Sequence, residues 1–387
     1  MKICFVTTNF PRYLGDSEAN FIWEAARAVA QWGHQVRVIA QHWPGSPTHE
    51  WLGEIEVIRP RYWWPESQEL LRREGGGLPI IWRKSRLARV QMIPFILVHT
   101  LAVARYARNY DVIHAQWTLS AGAAWLSRVS HGCPIVVTLH GSDIFQAAQG
   151  WLGARLTRRV LQGCDRIIAV SQALAEAAGQ IGISTRSITV IPDGVDLSQF
   201  SPAQSSREPL LLYIGSLIKR KGVEYLIEAL AAIAQRQPSL RLLIVGEGPE
   251  RSTLERLVSD RCLTERVTFA GQQPPSQVRL WLQQAKLFVL PSVEEGLGVV
   301  LLEALACGIP IVASRVGGIP EAVTPEVGLL VPPADPTLLG EAIIQLLSDE
   351  QRWQAMSQNA RSRAEEFYDW QQIAAKLITI YRDLSCT

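Results

Sequence analysis

Short apolar runs alternate along this chain with longer stretches in which apolar residues recur every three or four positions. The runs Ile3–Val6, Val36–Ala40, Val112–His114, Ile135–Leu139, Ile167–Val170 and Thr189–Ile191 are brief and continuous, which predicts buried strands. Helical patterns fill gaps between them. In Glu18–Trp32, residues Phe21, Ala25, Ala28, Val29 and Trp32 fall on one face, and Gly33 supplies a stop. Alternation of this kind predicts a parallel sheet with helices on both faces. The pattern lapses over Asp196–Pro209, which is rich in Ser, Gln and Pro and reads as a linker. It resumes with strands at Leu210–Ile214, Arg241–Val245, Val267–Ala270, Leu287–Leu290 and Ile311–Ala313. From Asp349 onward the pattern is helical, anchored by Trp353, Met356, Phe367, Trp370, Ile373 and Ile378. The expected fold is α/β, with two doubly wound Rossmann-like domains of similar size and a binding cleft between them, at the carboxyl ends of the strands.

Composition changes this picture little. A chain of 387 residues is too long for one ordinary core and fits about two domains. Its 48% hydrophobic and 19% charged content is that of a soluble globular protein. The net charge of +2 gives no argument for a nucleic-acid partner. The six cysteines, Cys4, Cys133, Cys164, Cys262, Cys307 and Cys386, have neither zinc-finger nor CxxC spacing. They read mostly as buried free thiols, which suits a reducing compartment. Met1–Val6 opens like a signal peptide, but Thr7-Thr8-Asn9-Phe10-Pro11 ends the apolar run too early. No apolar run reaches the roughly 18 residues that cross a bilayer. Met92–Val103 comes nearest and is broken by Pro94 and His99. The expectation is a cytoplasmic protein, with peripheral membrane contact left open.

The densest chemistry lies in Glu295-Gly296-Leu297-Gly298-Val299-Val300-Leu301-Leu302-Glu303. The preceding strand ends at Pro291, Gly296 and Gly298 predict a loop, and Val299–Ala306 predicts a helix stopped by Gly308. One carboxylate then sits in the loop and the other on the helix behind it. Amides at a helix start favour an anion, and carboxylates accept hydrogen bonds from hydroxyls. A phosphate joined to polyols, as in a nucleotide-sugar, fits both.

Other loops add to it. Gly215-Ser216-Leu217-Ile218-Lys219-Arg220-Lys221-Gly222 follows a strand and opens the helix Val223–Ala234. Cations at the positive end of a helix make electrostatic sense beside an anion, such as a diphosphate leaving group; the other reading is a solvated basic turn. Gly246-Glu247-Gly248-Pro249 reads equally as a tight turn or a ligand contact, and Gly317-Gly318-Ile319-Pro320-Glu321 is a further glycine loop. In the first half, His140-Gly141-Ser142-Asp143 follows a strand. His140 either faces the cleft as a donor or proton carrier, or is a structural histidine. Gly15-Asp16, after the first strand, either approaches the reacting centre or is a surface turn.

Together these residues resemble the retaining glycosyltransferases of family 4, which have the two-domain GT-B fold. The resemblance covers nearly the whole chain. Its strongest part is the Glu-x7-Glu motif of Glu295 and Glu303 with Ala304-Leu305-Ala306-Cys307-Gly308 behind it. Gly33-His34-Gln35-Val36, His140-Gly141-Ser142-Asp143, Ile191-Pro192-Asp193-Gly194 and Arg220-Lys221-Gly222 support it in the right order. The opening Asn9-Phe10-Pro11-Arg12 is similar to bacterial enzymes of cell-surface polysaccharide synthesis. On this basis the expected domains are residues 1–197 on the acceptor side, a linker at 198–209, and residues 210–365 on the nucleotide-sugar side. A C-terminal helix over 366–387 is expected to return to the first domain.

The resemblance implies roles. Lys221, with Arg220 beside it, would hold the diphosphate. Glu295 would bind donor-sugar hydroxyls, and Glu303 the ribose. Backbone amides of Gly296, Leu297, Gly298, Val299 and Val300 would contact sugar and phosphate. His140 would face the sugar near its reacting carbon, Gly15 would line the cleft floor, and Gly246 would lie by the nucleotide base. The catalytic set would be His140, Lys221 and Glu295. Departures are Ser216 where the family often has Arg, Leu297 for a usual Phe, and Asp193 for a common Asn, the last expected to be structural.

The expected reaction moves a sugar from a nucleotide-diphosphate sugar, UDP- or GDP-linked, to an acceptor hydroxyl, with retention at the anomeric carbon. Cations would do the work of a metal, so no metal and no cofactor is expected. The acceptor would be a glycan or a lipid-linked sugar. Arg59, Arg61, Arg72, Arg73, Arg83, Lys84, Arg86 and Arg89, interleaved with Tyr62, Trp63, Trp64 and Trp82, make a basic, aromatic stretch within 59–108. It reads as a peripheral membrane contact or as a solvated helical face with core tryptophans. No nucleic-acid module is visible. The alternatives are a nucleotide-sugar epimerase of the same fold, a phosphorylase, which needs a cofactor lysine and a longer chain, and a non-catalytic nucleotide-sugar sensor.

Overall fold

The computed structural model describes residues 1–16, 18–71, 85–148, 150–203 and 207–385. The chain forms two compact units, Met1–Asp193 with Trp370–Thr387, and Gly194–Asp369.

Among the described residues, the first unit is built on eight strands: β1 (Lys2–Val6), β2 (Gln35–Ile39), β3 (His49–Leu52), β4 (Ile55–Ile58), β5 (Val112–Gln116), β6 (Ile135–Leu139), β7 (Arg166–Ala169) and β8 (Ile188–Val190). Their order is β3-β4-β2-β1-β5-β6-β7-β8. Every neighbouring pair is parallel except β3 and β4, a hairpin turning near Gly53. That hairpin has no long apolar run: β3 is an edge strand with His49 and Trp51 exposed, and β4 alternates. The helix Asn20–Gln31 buries Ile22, Ala25, Ala26, Ala28 and Val29 on the sheet. Trp32, expected on that face, is instead 47% exposed, because the helix ends before it and Trp32 takes the cap position.

The C-terminal helix Trp370–Ser385 packs on Asn20–Gln31, and Trp370, Ile373, Leu377 and Ile378 share one core with Phe5 and Val29. Its Tyr381 Oη lies 2.6 Å from Nδ1 of buried His114, whose Nε2 lies 2.7 Å from Thr138 Oγ1.

The stretch 59–71 departs from the expected cationic belt. Arg59 is fully buried, donating from Nε to Glu50 at 2.8 Å and from Nη2 to the Pro11 carbonyl at 2.5 Å. Arg61 pairs with Glu66 at 2.8 Å, and Tyr62 and Leu71 pack with Phe95 in a small core. Arg72, Arg73, Trp82, Arg83 and Lys84 lie outside the described residues.

The second unit has six strands, β9 (Glu208–Ile214), β10 (Arg241–Val245), β11 (Val267–Gly271), β12 (Ala285–Leu290), β13 (Ile311–Ser314) and β14 (Gly328–Val331). They are all parallel, in the order β11-β10-β9-β12-β13-β14. β9 sits inside: the chain builds outward to β11, then returns to the other side of β9 as β12. The switch point, where ligands of such sheets bind, lies between the carboxyl ends of β9 and β12.

Residues expected as a linker belong largely to this unit. Phe200 is buried and its carbonyl accepts from Arg361 at 2.8 Å. Arg207 donates to the carbonyls of Leu282 and Ala285 at 2.7 and 3.0 Å, which ties down the approach to β9. The units divide at Asp193 and Gly194, not at 197, and residues 204–206 of the expected linker lie outside the described ones. The helix Glu350–Phe367 closes the second unit. Its Trp353 and Met356 are buried, but Phe367 is 41% exposed instead of anchoring the core.

Candidate active site

Three loops at the carboxyl ends of β9, β12 and β13 are held together by backbone contacts. After β9, Lys219–Lys221 form a single 3-10 turn, and Gly222 then bends in the left-handed region at φ 63° before the helix Val223–Ile233. The cations therefore lie in a turn of their own, and the first turn of the helix carries Glu224. A Cβ on Gly222 would sit 2.2 Å from the Pro291 carbonyl oxygen, so only glycine lets this turn meet the end of β12. The Arg220 carbonyl accepts the Val293 amide at 2.8 Å. On the other side, the Gly318 amide donates to the Gly296 carbonyl at 3.1 Å, and a Cβ on Gly317 would sit 1.8 Å from the Glu295 carbonyl oxygen.

This frame brings Lys221 to Glu295. The Lys221 ammonium donates to Glu295 Oε2 across the switch point, with both side chains largely enclosed. Ser292 Oγ lies 3.4 Å from the same oxygen, and the Gly296 amide donates to Oε1 at 3.2 Å. Burial pushes the Glu295 carboxyl upward; the Lys221 charge and hydrogen bond, then Arg220 and the Gly296 amide, outweigh it and hold the carboxyl below its ordinary value of 4.5. Glu295 is thus a fixed, charged acceptor. Arg220 lies 3.6 Å from Glu294. In this turn Lys221 is largely enclosed, Arg220 is half-buried and Lys219 is exposed.

Behind the loop, Leu297 is buried, Gly298 is left-handed at φ 86°, and the helix runs over Val299–Ala306 as expected. Val299 and Val300 occupy its first turn, where amides lack intrahelical acceptors. Glu303 lies on that helix and is half-buried. Gly246 packs directly on the Gly215 carbonyl and donates to the Gly271 carbonyl at 2.8 Å. Buried Tyr213 donates to the Ser216 carbonyl at 3.1 Å, fixing the position where the family often has Arg.

His140 and Gly15 belong to the first unit. His140 follows β6, and its ring lies 5.1 Å from Phe21 and 5.0 Å from Trp117. Nε2 is 2.8 Å from Gln116 Oε1, and Nδ1 is 3.6 Å from Asp193 Oδ2. Sequence reasoning passed over Gln116 and gave Asp193 no link to His140, because partners so distant along the chain leave no local pattern. Asp143 accepts the amides of Thr118, Gly141 and Ile144, which fixes the turn after His140. Gly15 sits in an exposed turn closed by the Asp16 amide on the Tyr13 carbonyl at 3.1 Å. Asp16 itself is buried and takes both Nε and Nη2 of Arg12, at 2.7 and 2.9 Å.

Comparison with known proteins agrees with this arrangement. Residues 19–199 match the family described as Glycosyltransferase Family 4, and residues 196–363 match Glycosyl transferases group 1. The N-acetyl-alpha-D-glucosaminyl L-malate synthase of Bacillus anthracis is 31% identical, over 74% of this chain and 78% of that one. The chain belongs to glycosyltransferase family 4. Another family 4 relative, 31% identical over 76% of this chain and 82% of its own, is the GDP-mannose-dependent monoacylated alpha-(1-6)-phosphatidylinositol monomannoside mannosyltransferase of Corynebacterium glutamicum. The solved sucrose-phosphate synthase of Thermosynechococcus elongatus covers 100% of this chain and 99% of its own at TM-score 0.82 and 26% identity. The fold class is the glycosyltransferase one with two Rossmann-like domains, GT-B, and the Glu-x7-Glu loop of this family 4 glycosyltransferase stands at the switch point of its second sheet.

Proposed function

We propose that this family 4 glycosyltransferase moves a sugar from a nucleotide-diphosphate sugar to an acceptor hydroxyl, retaining the anomeric configuration. The observation that carries this is the enclosed pair of Lys221 and Glu295, which puts one cation and one fixed acceptor beside a helix start. In the reaction, the bond from the anomeric carbon to the phosphate oxygen breaks, and the nucleoside diphosphate leaves with the electron pair. The acceptor oxygen bonds to the same face of that carbon, and its proton leaves with the nucleotide. Lys221 and Arg220 stabilise the charge that grows on the departing phosphate, as do the amides of Val299 and Val300. Glu295 takes the donor-sugar hydroxyls, Glu303 the ribose, and His140 a hydroxyl near the reacting carbon. Gly15 and Gly246 line the donor.

Because the cations act where a metal otherwise would, the reaction needs no metal and no cofactor. The donor is a UDP- or GDP-sugar, in line with the GDP-mannose named for one relative. The acceptor is a glycan or a lipid-linked sugar in cell-surface polysaccharide synthesis. Among the described residues the cysteines are free thiols, which favours work in the reducing cytoplasm.

The test is incubation with a panel of nucleotide-sugars, following nucleotide release and the anomeric proton by NMR, with and without chelator. Slow donor hydrolysis without acceptor, insensitive to chelator, is expected. Binding of a nucleotide-sugar with no release of sugar would leave a sensor, the reading that Ser216 favours. Interconversion of donors would leave an epimerase, and full dependence on magnesium would remove the metal-free mechanism.

A further inference from the structure

The helix Arg86–Tyr106 is apolar on its outward face as well as its inward one. It is apolar through most of its length, yet only about a third of its most apolar part is buried. Its inward face carries Ala88, Phe95, Ala102 and Val103 together with the polar Gln91 and His99. Gln91 accepts the Leu70 amide at 2.9 Å and donates to the Gln68 carbonyl at 2.6 Å. His99 is stacked on Phe95 at 5.4 Å and held neutral, with burial pushing its pKa down to about 4. Leu87, Val90, Ile93, Leu97 and Leu101 face outward and are 40–67% exposed. Their spacing of three and four residues puts them on one stripe. A helix on a water-facing surface keeps its outward face polar.

Charge frames this stripe. Arg86 and Arg89 are exposed at one end, Arg105 and Arg108 at the other. The next helices along the chain, Trp117–Leu126 and Arg128–His131, pack against it, and Trp117–Leu126 in turn meets Trp151–Gln162. These neighbours expose Val129, Trp151, Leu152 and Leu156 beside Arg155 and Arg159. From Ser85 to Cys164 the sequence has eight arginines and only two acids, Asp111 and Asp143. Both acids are taken by backbone amides, Asp111 by that of Lys2 at 2.7 Å.

We propose that this face of the first unit docks on a bilayer surface of anionic lipids, with the helix Arg86–Tyr106 lying in the interface plane. Apolar side chains flanked by arginines match an acyl boundary topped by acidic headgroups, the arginine stems reaching back to the phosphates. The hydrogen bonds of Gln91 to Leu70 and Gln68 keep the helix against its own protein, so it lies along the membrane instead of crossing it. A second copy of the chain fits worse, because a two-fold interface would set the same arginines against each other. This goes beyond the proposed reaction and does not depend on it.

The test uses the full-length protein with vesicles of phosphatidylcholine alone or mixed with phosphatidylglycerol. Sedimentation with the anionic vesicles at low salt, and release by salt, is expected. Replacing Arg86 and Arg105 by Ser should weaken binding about fivefold per arginine. Ile93→Gln with Leu97→Gln should weaken it by about tenfold or more. Both variants change only exposed positions, so melting temperature and its rise with nucleotide should stay at the wild-type values. Failure of the wild type to bind anionic vesicles overturns the proposal, as does equal binding to neutral ones or binding that neither variant changes. Concentration-dependent self-association that the Ile93 and Leu97 changes abolish overturns it too, in favour of a second copy. The nucleotide arm reads the reaction separately, so loss of vesicle binding and loss of donor binding are distinguishable.

Discussion

The Lys221 ammonium and the Glu295 carboxylate meet across the point where the second sheet reverses its strand order, one carried by the loop after β9 and the other by the loop after β12. These strands are neighbours in space but are separated in sequence by β10 and β11, so the pair joins the two halves of the sheet at its ligand-binding end. Each residue sets the other: the ammonium keeps the buried carboxyl charged, and the carboxylate holds a long, flexible lysine in one place.

Removing either charge should cost activity more than stability. Glu295→Gln keeps the shape and loses the fixed negative charge. Transfer or donor hydrolysis should fall about 100-fold or more in kcat/KM, as for a lost transition-state contact. Lys221→Ala should fall as far and also destabilise by about 1–3 kcal/mol, because it strands an enclosed carboxylate. Kinetics and urea unfolding of both variants check this. Wild-type turnover in either one removes the assignment.

Much of this was legible along the chain, and the reason is local. The strands Ile135–Leu139 and Arg241–Val245 and the helix Val299–Ala306 lie where the apolar runs put them. Glycine or proline punctuation fixes such ends by sterics alone. The hairpin β3–β4 escaped, since an edge strand needs no apolar run. Arg59 was misplaced for a different reason. A cation is buried only when distant groups, here Glu50 and the Pro11 carbonyl, satisfy it. At the site, Lys221 and Glu295 stood out by motif. Gln116 and Asp193 did not, because their contact with His140 is made by folding.

Glu295 should leave a mark on stability in acid. Its carboxyl titrates below the ordinary 4.5 in the folded protein. Between that folded value and 4.5 the unfolded chain binds more protons. The stabilisation is therefore complete above 4.5 and is lost as pH falls through the folded value. Urea midpoints measured from about pH 6 downward should drop more steeply in the wild type than in Glu295→Gln. Parallel curves would show that the carboxyl is not held by its neighbours.

Gly317 tests whether the loops act as one frame. A side chain there would meet the Glu295 carbonyl oxygen at 1.8 Å, and the residue is left-handed at φ 49°. Gly317→Ala must push the Glu295 loop away and strain its own backbone, at a cost of about 1–3 kcal/mol. Nucleotide binding, read by calorimetry, should weaken although no ligand contact is removed directly. Unchanged binding would mean that the Gly317 loop does not set Glu295.

The contacts around His140 predict a change in turnover. Gln116 and Asp193 flank its two ring nitrogens, so they select which nitrogen carries the proton. Gln116→Leu and Asp193→Asn should lower kcat with little change in donor KM. A change in donor KM with kcat unmoved would make these residues structural only.

His114 gives a second handle on acid stability, now for a base. It is enclosed between Tyr381 and Thr138, and burial pushes its pKa down from 6.5 to about 3. The folded state keeps it neutral while the unfolded chain takes up a proton below 6.5. Stability is therefore full above 6.5 and falls as pH drops toward 3, by up to about 1.4 kcal/mol per pH unit from this group. His114→Gln should flatten that slope. Tyr381→Phe should leave Nδ1 without its hydroxyl partner and cost about 1–3 kcal/mol at neutral pH, while the pH slope stays. Urea unfolding of the three proteins at about pH 7 and 5 separates the two effects. If Tyr381→Phe leaves the midpoint unmoved, the C-terminal helix is held by its apolar face alone, with Trp370, Ile373 and Leu377 sufficient for docking.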